Sequence, residues 1–355
     1  MLEQFGWDSE LQQEWNTIKT ENGVIGRLIT QSRDWSKVMT EKGEWLCTLP
    51  GSYHYAPTFD YPAVGDWVGV EQLPGEERGI IRHTIKRSSV FKRNTAGIET
   101  KAQVIAANIH FAFLVMSCNE DFNIRRLERY LIAAWDSGSK PIILLTKSDL
   151  IDESKRLEME IEIDQIAFGV PLYFVSNETG ENIAAVSSLL QPNLTAALLG
   201  SSGVGKSTLV NSLLNTDRMK INTIREDDSK GKHTTTHREL ILLPEGGILI
   251  DTPGMREFQL WKQENSTGLA ESFTDVDQLI FNCRFNDCRH DTEPGCAVKG
   301  ALSEGTLTQD RYNSYLKLQK ELAYVERKEN EKVMRQEKDK WKSISKASKQ
   351  AYKNR

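Results

Sequence analysis

At 355 residues, with 39% hydrophobic and 27% charged side chains and a net charge of −5, the chain is long enough for two or three domains. This composition excludes a disordered body and a generic polyanion binder. The N-terminus is acidic and lacks a signal-like apolar core, and no run approaches the ~18 apolar residues of a membrane span, so a cytosolic protein without membrane attachment is expected.

In chain order, residues 1–22 form an N-terminal extension. Residues 23–100 contain "GVIGRLITQS", "GEWLCTLP", "AVGDWVGVEQL" and "GIIRHTIKRSSVFKR", short apolar segments broken by Gly, Pro and Asp, which predict a small antiparallel barrel. From "QVIAANIHFAFLVMS" the pattern becomes continuous apolar strands alternating with helical segments, predicting a doubly wound, mainly parallel α/β domain over 101–264. Residues 265–355 hold a cysteine cluster and a long helix starting near 308 that leads into a Lys-rich tail, and no internal repeat is present.

The chemistry begins at Gly200-Ser201-Ser202-Gly203-Val204-Gly205-Lys206-Ser207, a G-x-x-x-x-G-K-S phosphate loop between an apolar strand and a helix that Thr208 enters. The glycines allow backbone N–H groups to turn inward around phosphate oxygens, the helix N-terminus adds its positive end, Lys206 reaches the β- and γ-phosphates, and Ser207 is the Mg²⁺ ligand. Asp251-Thr252-Pro253-Gly254 ends the strand "GGILI" about 45 residues further on. By itself D-x-P-G is a turn signal, but after a strand at this spacing Asp251 reads as the acidic partner of Mg²⁺ and Gly254 as a γ-phosphate contact.

Thr146-Lys147-Ser148-Asp149 closes the strand "PIILLTKSD". The Asp149 carboxylate can accept from guanine N1–H and the exocyclic amine, a pair of donors that adenine does not present, and Lys147 can lie against the base. Threonine at 146, where asparagine is usual, predicts a weakened tie to the phosphate loop. Ser176 and Asn177 in "FVSNETG" are the candidates to close over the base. In an ordinary GTPase the base-reading strand follows the phosphate loop, whereas here it precedes it by about fifty residues. The order is therefore that of a GTPase cut after its D-x-x-G element and rejoined at its old termini, a circularly permuted G domain; such a cut is tolerated where domain termini lie close together.

Between the loop and Asp251 lies "REDDSKGKHTTTHREL", in which one of Thr234, Thr235 or Thr236 should reach Mg²⁺ and the γ-phosphate; spacing alone does not choose among them, and Thr235 is carried as the candidate. Met255 stands where Ras-like enzymes place a water-orienting Gln, which leaves His233 as the candidate catalytic group; a solvated loop histidine is the alternative.

Of the five cysteines, Cys47 and Cys118 stand alone and read as buried small hydrophobes, while Cys283, Cys288, His290 and Cys296 supply a full tetrahedral Cys₃His set with no vacancy for water. One structural zinc is expected; reduced thiols or an iron–sulfur site are the alternatives. From Arg327 onward eleven Lys/Arg face four Asp/Glu, and beyond Asp339 no acidic residue remains, a pattern that suits an RNA-binding tail.

Taken together, "AVGDWVGVE", "TKSD", "GSSGVGKST", "GKHTTTHREL", "DTPG" and the Cys₃His knuckle, in that order over nearly the whole chain, resemble the family of circularly permuted bacterial GTPases that depend on the small ribosomal subunit and act late in its assembly. The resemblance implies an N-terminal OB-fold, subunit-stimulated GTP hydrolysis, rRNA contacts from the barrel, zinc domain and C-terminal helix, and catalysis by the switch histidine, here His233. Lys232 replaces the usual arginine, and the N-terminal lead is longer than the family's. A monomer that binds GTP and GDP and hydrolyses GTP is expected. The competing readings are a GTP-sensing RNA-binding factor with negligible turnover, which the missing Gln favours, and an ATP-dependent RNA factor, which Asp149 argues against.

Overall fold

The computed structural model describes residues 1–20, 22–32, 34–51, 53, 61–94, 102–119, 121–216, 238–252, 260–261, 266–328 and 330–331. Residues 1–93 and 102–259 form one compact unit, and 94–101 with 260–355 form a second.

The first unit opens with helix α1 (Ser9–Ile18), whose N-terminus is capped by the Asp8 side chain accepting from Leu11 N–H. Its Trp15 is 3% exposed, and Leu2 and Phe5 before it are buried as well, so the N-terminal extension is a packed part of the unit. Trp7 adds a ring contact to Trp67 with centroids 4.8 Å apart.

Strands β1 (Gly23–Gln31), β2 (Ser36–Thr40), β3 (Gly43–Thr48), β4 (Trp67–Gln72) and β5 (Arg78–Thr84) follow. They pair in the order β1-β2-β3-β5-β4 and close through β4 back to β1, with β3 and β5 parallel and the other pairs antiparallel. This closed five-stranded barrel is an OB-fold. Its interior is filled by Leu28, Val38, Trp45, Cys47, Val68, Val70 and Ile81, each 0–1% exposed. A two-stranded ribbon, β6 (Val90–Asn94) and β7 (Ala102–Ala107), links barrel to G domain.

Within "QVIAANIHFAFLVMS" the structure forms two strands, β7 and a second that begins at Phe111, separated at Asn108, which adopts φ 54°. Asn108 Oδ1 accepts from Ser88 N–H at 2.9 Å, and its amide donates to Gly65 O at 3.1 Å. These bonds favour the turn over a continued strand, since Asn tolerates the left-handed region.

The G domain then runs β8 (Phe111–Ser117), α2 (Ile124–Ser137), β9 (Lys140–Thr146), α3 (Glu153–Asp164), β10 (Leu172–Val175), α4 (Ile183–Leu189), β11 (Thr195–Gly200), α5 (Lys206–Leu214), β12 (Arg238–Leu242) and β13 (Ile248–Asp251). The spatial order is β10-β9-β8-β11-β13-β12, parallel except for β12, which is antiparallel to β13. Phe113, Val115, Leu144, Leu198, Leu209, Val210 and Leu249 pack one core between sheet and helices.

Barrel and G domain share a sheet. β1 runs on past its pairing with β4, which ends at Arg27↔Trp67, and pairs with β12 at Thr30↔Glu239 and Gln31↔Arg238, which covers the edge of the G-domain sheet. Arg27, 2% exposed, ties the same junction: it donates to Gly65 O at 3.2 Å, Asn108 O at 3.1 Å, Thr195 Oγ1 at 3.0 Å and, by a short bond, Phe5 O. Its guanidinium also lies 5.4 Å from the Trp67 ring centroid. Burial lowers its pKa to about 10, with the Asp66 charge opposing.

In the second unit, α6 (Gly268–Ser272), α7 (Thr274–Phe281), α8 (Ala297–Glu304) and a helix over residues 309–328, α9, enclose a small core containing Phe273, Val276, Val298, Tyr312 and Tyr315. Arg311 on α9 sits 3.9 Å from the Phe273 ring centroid and holds Asp275 at 2.9 Å. Among the described residues, no helix is long and apolar enough to cross a membrane.

Candidate functional site

The phosphate loop leaves β11 at Gly200, where a Cβ would come within 2.3 Å of Val115 O, so only glycine permits the β8–β11 approach that positions the loop. It enters α5 through Gly205 at φ 94°, a left-handed conformation that leaves the helix's first N–H groups unblocked. Val204, 1% exposed, anchors the loop in the core, while Ser202, Ser207 and Thr208 are half-buried. Lys206 Nζ donates to Gly200 O at 2.8 Å and Ser201 O at 2.7 Å, which lays its side chain along the loop. Its pKa is lowered to about 8 by burial, which the negative charges of Asp251 and Asp121 oppose. A polyphosphate would supply the counter-charge this buried ammonium otherwise meets only in part.

β13 delivers Asp251, 1% exposed, to the same edge of the sheet, and the next residue, Thr252, donates its hydroxyl to Leu198 O at 2.5 Å, linking β13 to the phosphate-loop strand. Gly254, His233 and the three threonines Thr234, Thr235 and Thr236 lie outside the described residues.

β9 ends at Thr146, whose hydroxyl is within reach of Val204 O and, at 3.1 Å, of Met116 O. The tie to the phosphate loop that the Asn-to-Thr departure was expected to weaken is present, made by the threonine hydroxyl to Val204 O. Lys147 adopts φ 60° and donates from Nζ to Gly203 O at 3.2 Å, which stretches its stem along the space beside the loop. Asp149 is exposed, and its Oδ1 accepts from the Ser176 hydroxyl at 2.6 Å. Ser176 is fully buried at the end of β10, so the residues predicted to read and to close over the base are in contact. Asn177 Oδ1 accepts from Ser212 on α5 at 2.8 Å.

Glu181 was not singled out by the motifs, yet it organises this edge. Its backbone carbonyl accepts from Ser176 N–H at 3.2 Å, and its carboxylate takes Ser148 Oγ at 2.5 Å and Arg156 Nη2 at 2.7 Å. Burial acts to raise the Glu181 carboxyl, but the bonds from Ser148 and Arg156 outweigh it and hold it below the ordinary carboxylate range. The only sequence signal was an acidic residue just past the "SNETG" turn.

In the second unit, the candidate ligand atoms of Cys283, Cys288, His290 and Cys296 lie within 4.8 Å of one another. Cys283 Sγ is 3.9 Å from Cys296 Sγ and 3.5 Å from His290 Nδ1, and His290 Nδ1 is 3.4 Å from Cys296 Sγ. Zinc bonds of about 2.3 Å to sulfur and about 2.0–2.1 Å to nitrogen put tetrahedral S···S pairs at about 3.8 Å and S···N pairs at about 3.6 Å, so the residues fit that ion. Cys283 follows α7, and Cys296 caps the N-terminus of α8. Between them, Glu293 is held at about 2 by its own N–H and those of Arg289, Asp291 and Thr292, which fixes the ligand loop. The isolated thiols Cys47 and Cys118 are buried, at 0% and 4% exposure, and burial pushes each to about 12.

A base-reading strand, a closing segment, a phosphate loop and an acidic strand end, gathered at one edge of a sheet whose spatial order is that of a G domain, define a circularly permuted GTPase. The RsgA GTPase family model matches residues 84–261, and a model described as 50S ribosome-binding GTPase matches residues 195–332. The chain is 47% identical over 348 residues to "Small ribosomal subunit biogenesis GTPase RsgA 1" of Listeria innocua, covering 98% of this chain and 96% of that one. It is 49% identical over 345 residues to the protein of the same name from Oceanobacillus iheyensis, covering 95% and 97%. The crystal structure of YjeQ from Thermotoga maritima superposes with a TM-score of 0.61 at 25% identity, covering 85% of this chain and 99% of that one. That of YloQ, a circularly permuted GTPase, gives 0.58 at 24% identity, covering 85% and 96%, and agrees in fold. The chain belongs to the RsgA GTPase family.

Proposed function

We propose that this protein hydrolyses GTP while bound to the small ribosomal subunit late in its assembly, contacts rRNA, and leaves the particle once the nucleotide is cleaved. The supporting observation is the guanine-site pairing of Asp149 with Ser176 beside a phosphate loop, in a chain whose relatives carry the name of small-subunit biogenesis GTPases. Asp149 reads the guanine edge and Ser176 orients it; Gly200 to Thr208 and Lys206 hold the phosphates. Ser207, Asp251 and Thr235 are the residues to hold Mg²⁺, which would neutralise charge on the β- and γ-oxygens. Gly254 contacts the γ-phosphate and His233 orients water. The site of action is the cytoplasm and the working form a monomer.

The test is the rate of phosphate release with and without purified small subunits. Stimulation is expected, and a rate that stays negligible with subunits present would leave a GTP-sensing binding factor instead. Deleting residues 340–355 removes six Lys/Arg and the aromatic pair Trp341 and Tyr352, a segment outside the described residues. Weaker subunit binding and a flatter salt dependence are expected, because each neutralised phosphate contributes to the slope. An unchanged affinity and slope would place the RNA contacts on the barrel and the zinc domain.

Cys283, Cys288, His290 and Cys296 hold one structural zinc in this proposal. Cys288→Ser is expected to reduce bound zinc and destabilise the chain from about residue 275 onward, since structural zinc supplies folding free energy directly. Nucleotide affinity should be retained. Metal analysis of the purified variant decides it, and full occupancy would remove Cys288 from the ligand set.

A further inference from the structure

Helix α3 buries Met159 and Ile163, at 1% and 2% exposure, but leaves Leu157 and Ile161, one turn apart, 57% and 54% exposed. In the turn that follows, Phe168 is 88% exposed. Beside these side chains lies a groove of about 500 Å³ that runs between α3 and β10, lined by Leu157, Glu160, Ile161, Asp164, Val170 and Leu172 among others. β10 is the terminal strand of the sheet. A single exposed leucine needs no explanation, but three exposed apolar side chains beside a groove lined by apolar and acidic residues alike suit a docking site.

The charge selects the occupant. Between Asp152 and Asp164 there are six acidic residues and two basic ones. Both bases are engaged, Lys155 with Glu158 at 2.9 Å and Arg156 with Glu181 at 2.7 Å, so Glu160 and Asp164 leave the groove rim acidic. A nucleic-acid backbone or an anionic lipid surface would be repelled there. A basic amphipathic segment fits, with apolar side chains against Leu157 and Ile161 and Lys or Arg against Glu160 and Asp164.

We propose that the α3–β10 groove docks a basic amphipathic segment of a protein component of the small ribosomal subunit, a proposal that rests on this chain working on that particle. The segment would supplement RNA contacts made elsewhere on the chain with a protein-specific anchor.

Two double variants of the full-length chain test it, Leu157→Ser with Ile161→Ser and Glu160→Lys with Asp164→Lys, each titrated against purified small subunits and, separately, against GTP. All four side chains are exposed and none is among the residues assigned to the phosphates or the base, so GTP affinity serves as the control for folding. Both variants are expected to bind subunits about tenfold more weakly, the scale of losing a small interface cluster. Tighter binding by the charge-reversed variant would assign the rim to RNA and overturn the proposal. Unchanged affinity in both would overturn it too, as would a concentration-dependent dimer that the serine variant abolishes, which would assign the groove to a second copy. If the unsubstituted chain fails to bind subunits, the function proposed above fails, and this inference with it. A photoreactive side chain at Ile161 gives the direct readout: a crosslink to a Lys/Arg-rich ribosomal-protein peptide is expected, and a crosslink to rRNA contradicts the proposal.

Discussion

Asp149→Asn is expected to lower GTP affinity on the order of 10²-fold and to erase most of the preference for GTP over ATP, measured by competition binding of the two nucleotides. The carboxylate is acceptor-only and faces solvent at the end of β9, with Oδ1 held by the Ser176 hydroxyl at 2.6 Å. An asparagine that keeps its oxygen toward Ser176 must turn its NH₂ toward the base, where guanine also presents donors. Donor then meets donor, and the site loses the contact that distinguishes guanine. Xanthosine triphosphate, with a carbonyl in place of the exocyclic amine, should bind the variant better than the parent. Retained discrimination between GTP and ATP would show that Asp149 does not read the base. Loss of binding to every nucleotide alike would instead indicate collapse of the Thr146 to Asp149 turn.

His233→Ala is expected to reduce subunit-stimulated hydrolysis by roughly 10²-fold or more while GTP affinity stays within a small factor of the parent, as for a group whose contribution is confined to the transition state. The reasoning starts from an absence in the motif: Met255 follows Gly254, and a thioether can neither donate to nor orient a water molecule as a glutamine amide does. "GKHTTTH" places an imidazole one residue before the threonines proposed for Mg²⁺. Single-turnover phosphate release at saturating GTP, with equilibrium binding measured alongside, separates the two effects. Full turnover by the variant on the subunit would move the catalytic group to the ribosome. A parallel loss of affinity would make His233 part of the binding surface rather than of the chemical step.

The motif chemistry was legible because phosphate binding by backbone needs glycine at particular positions, and a strand-loop-helix pattern cannot be shuffled without losing it. The permutation was legible for the same reason: Asp149 before Lys206 has a different topology from Lys206 before Asp149, and only a cut and rejoined sheet places both at one edge. The Cys₃His set was legible because its spacing alone limits how the four donors can meet.

Other parts depended on contacts between residues far apart in the chain. Nothing in "GVIGRLITQS" marks Arg27 as the buried link between the N-terminal lead, the barrel and Thr195, 168 positions later. A charged residue in a strand reads as surface, and only five converging backbone and side-chain oxygens and rings from distant segments make its burial tolerable. The strand break at Asn108 and the reach of Thr146 to Val204 are of the same kind, as is the role of Glu181 in holding Ser148 and Ser176 together.

Sequence by itself therefore determined the class of chemistry, the permuted order of the G domain and the Cys₃His grouping, because each is a local pattern of residue types. Tertiary structure alone decided that β1 extends the G-domain sheet through β12, that the N-terminal lead is packed against the barrel, and that Leu157 and Ile161 of α3 are left exposed. Pairing between strands more than two hundred residues apart and the burial of one helix face rather than another are set by the total packing of the chain, and no local window of residues carries that information.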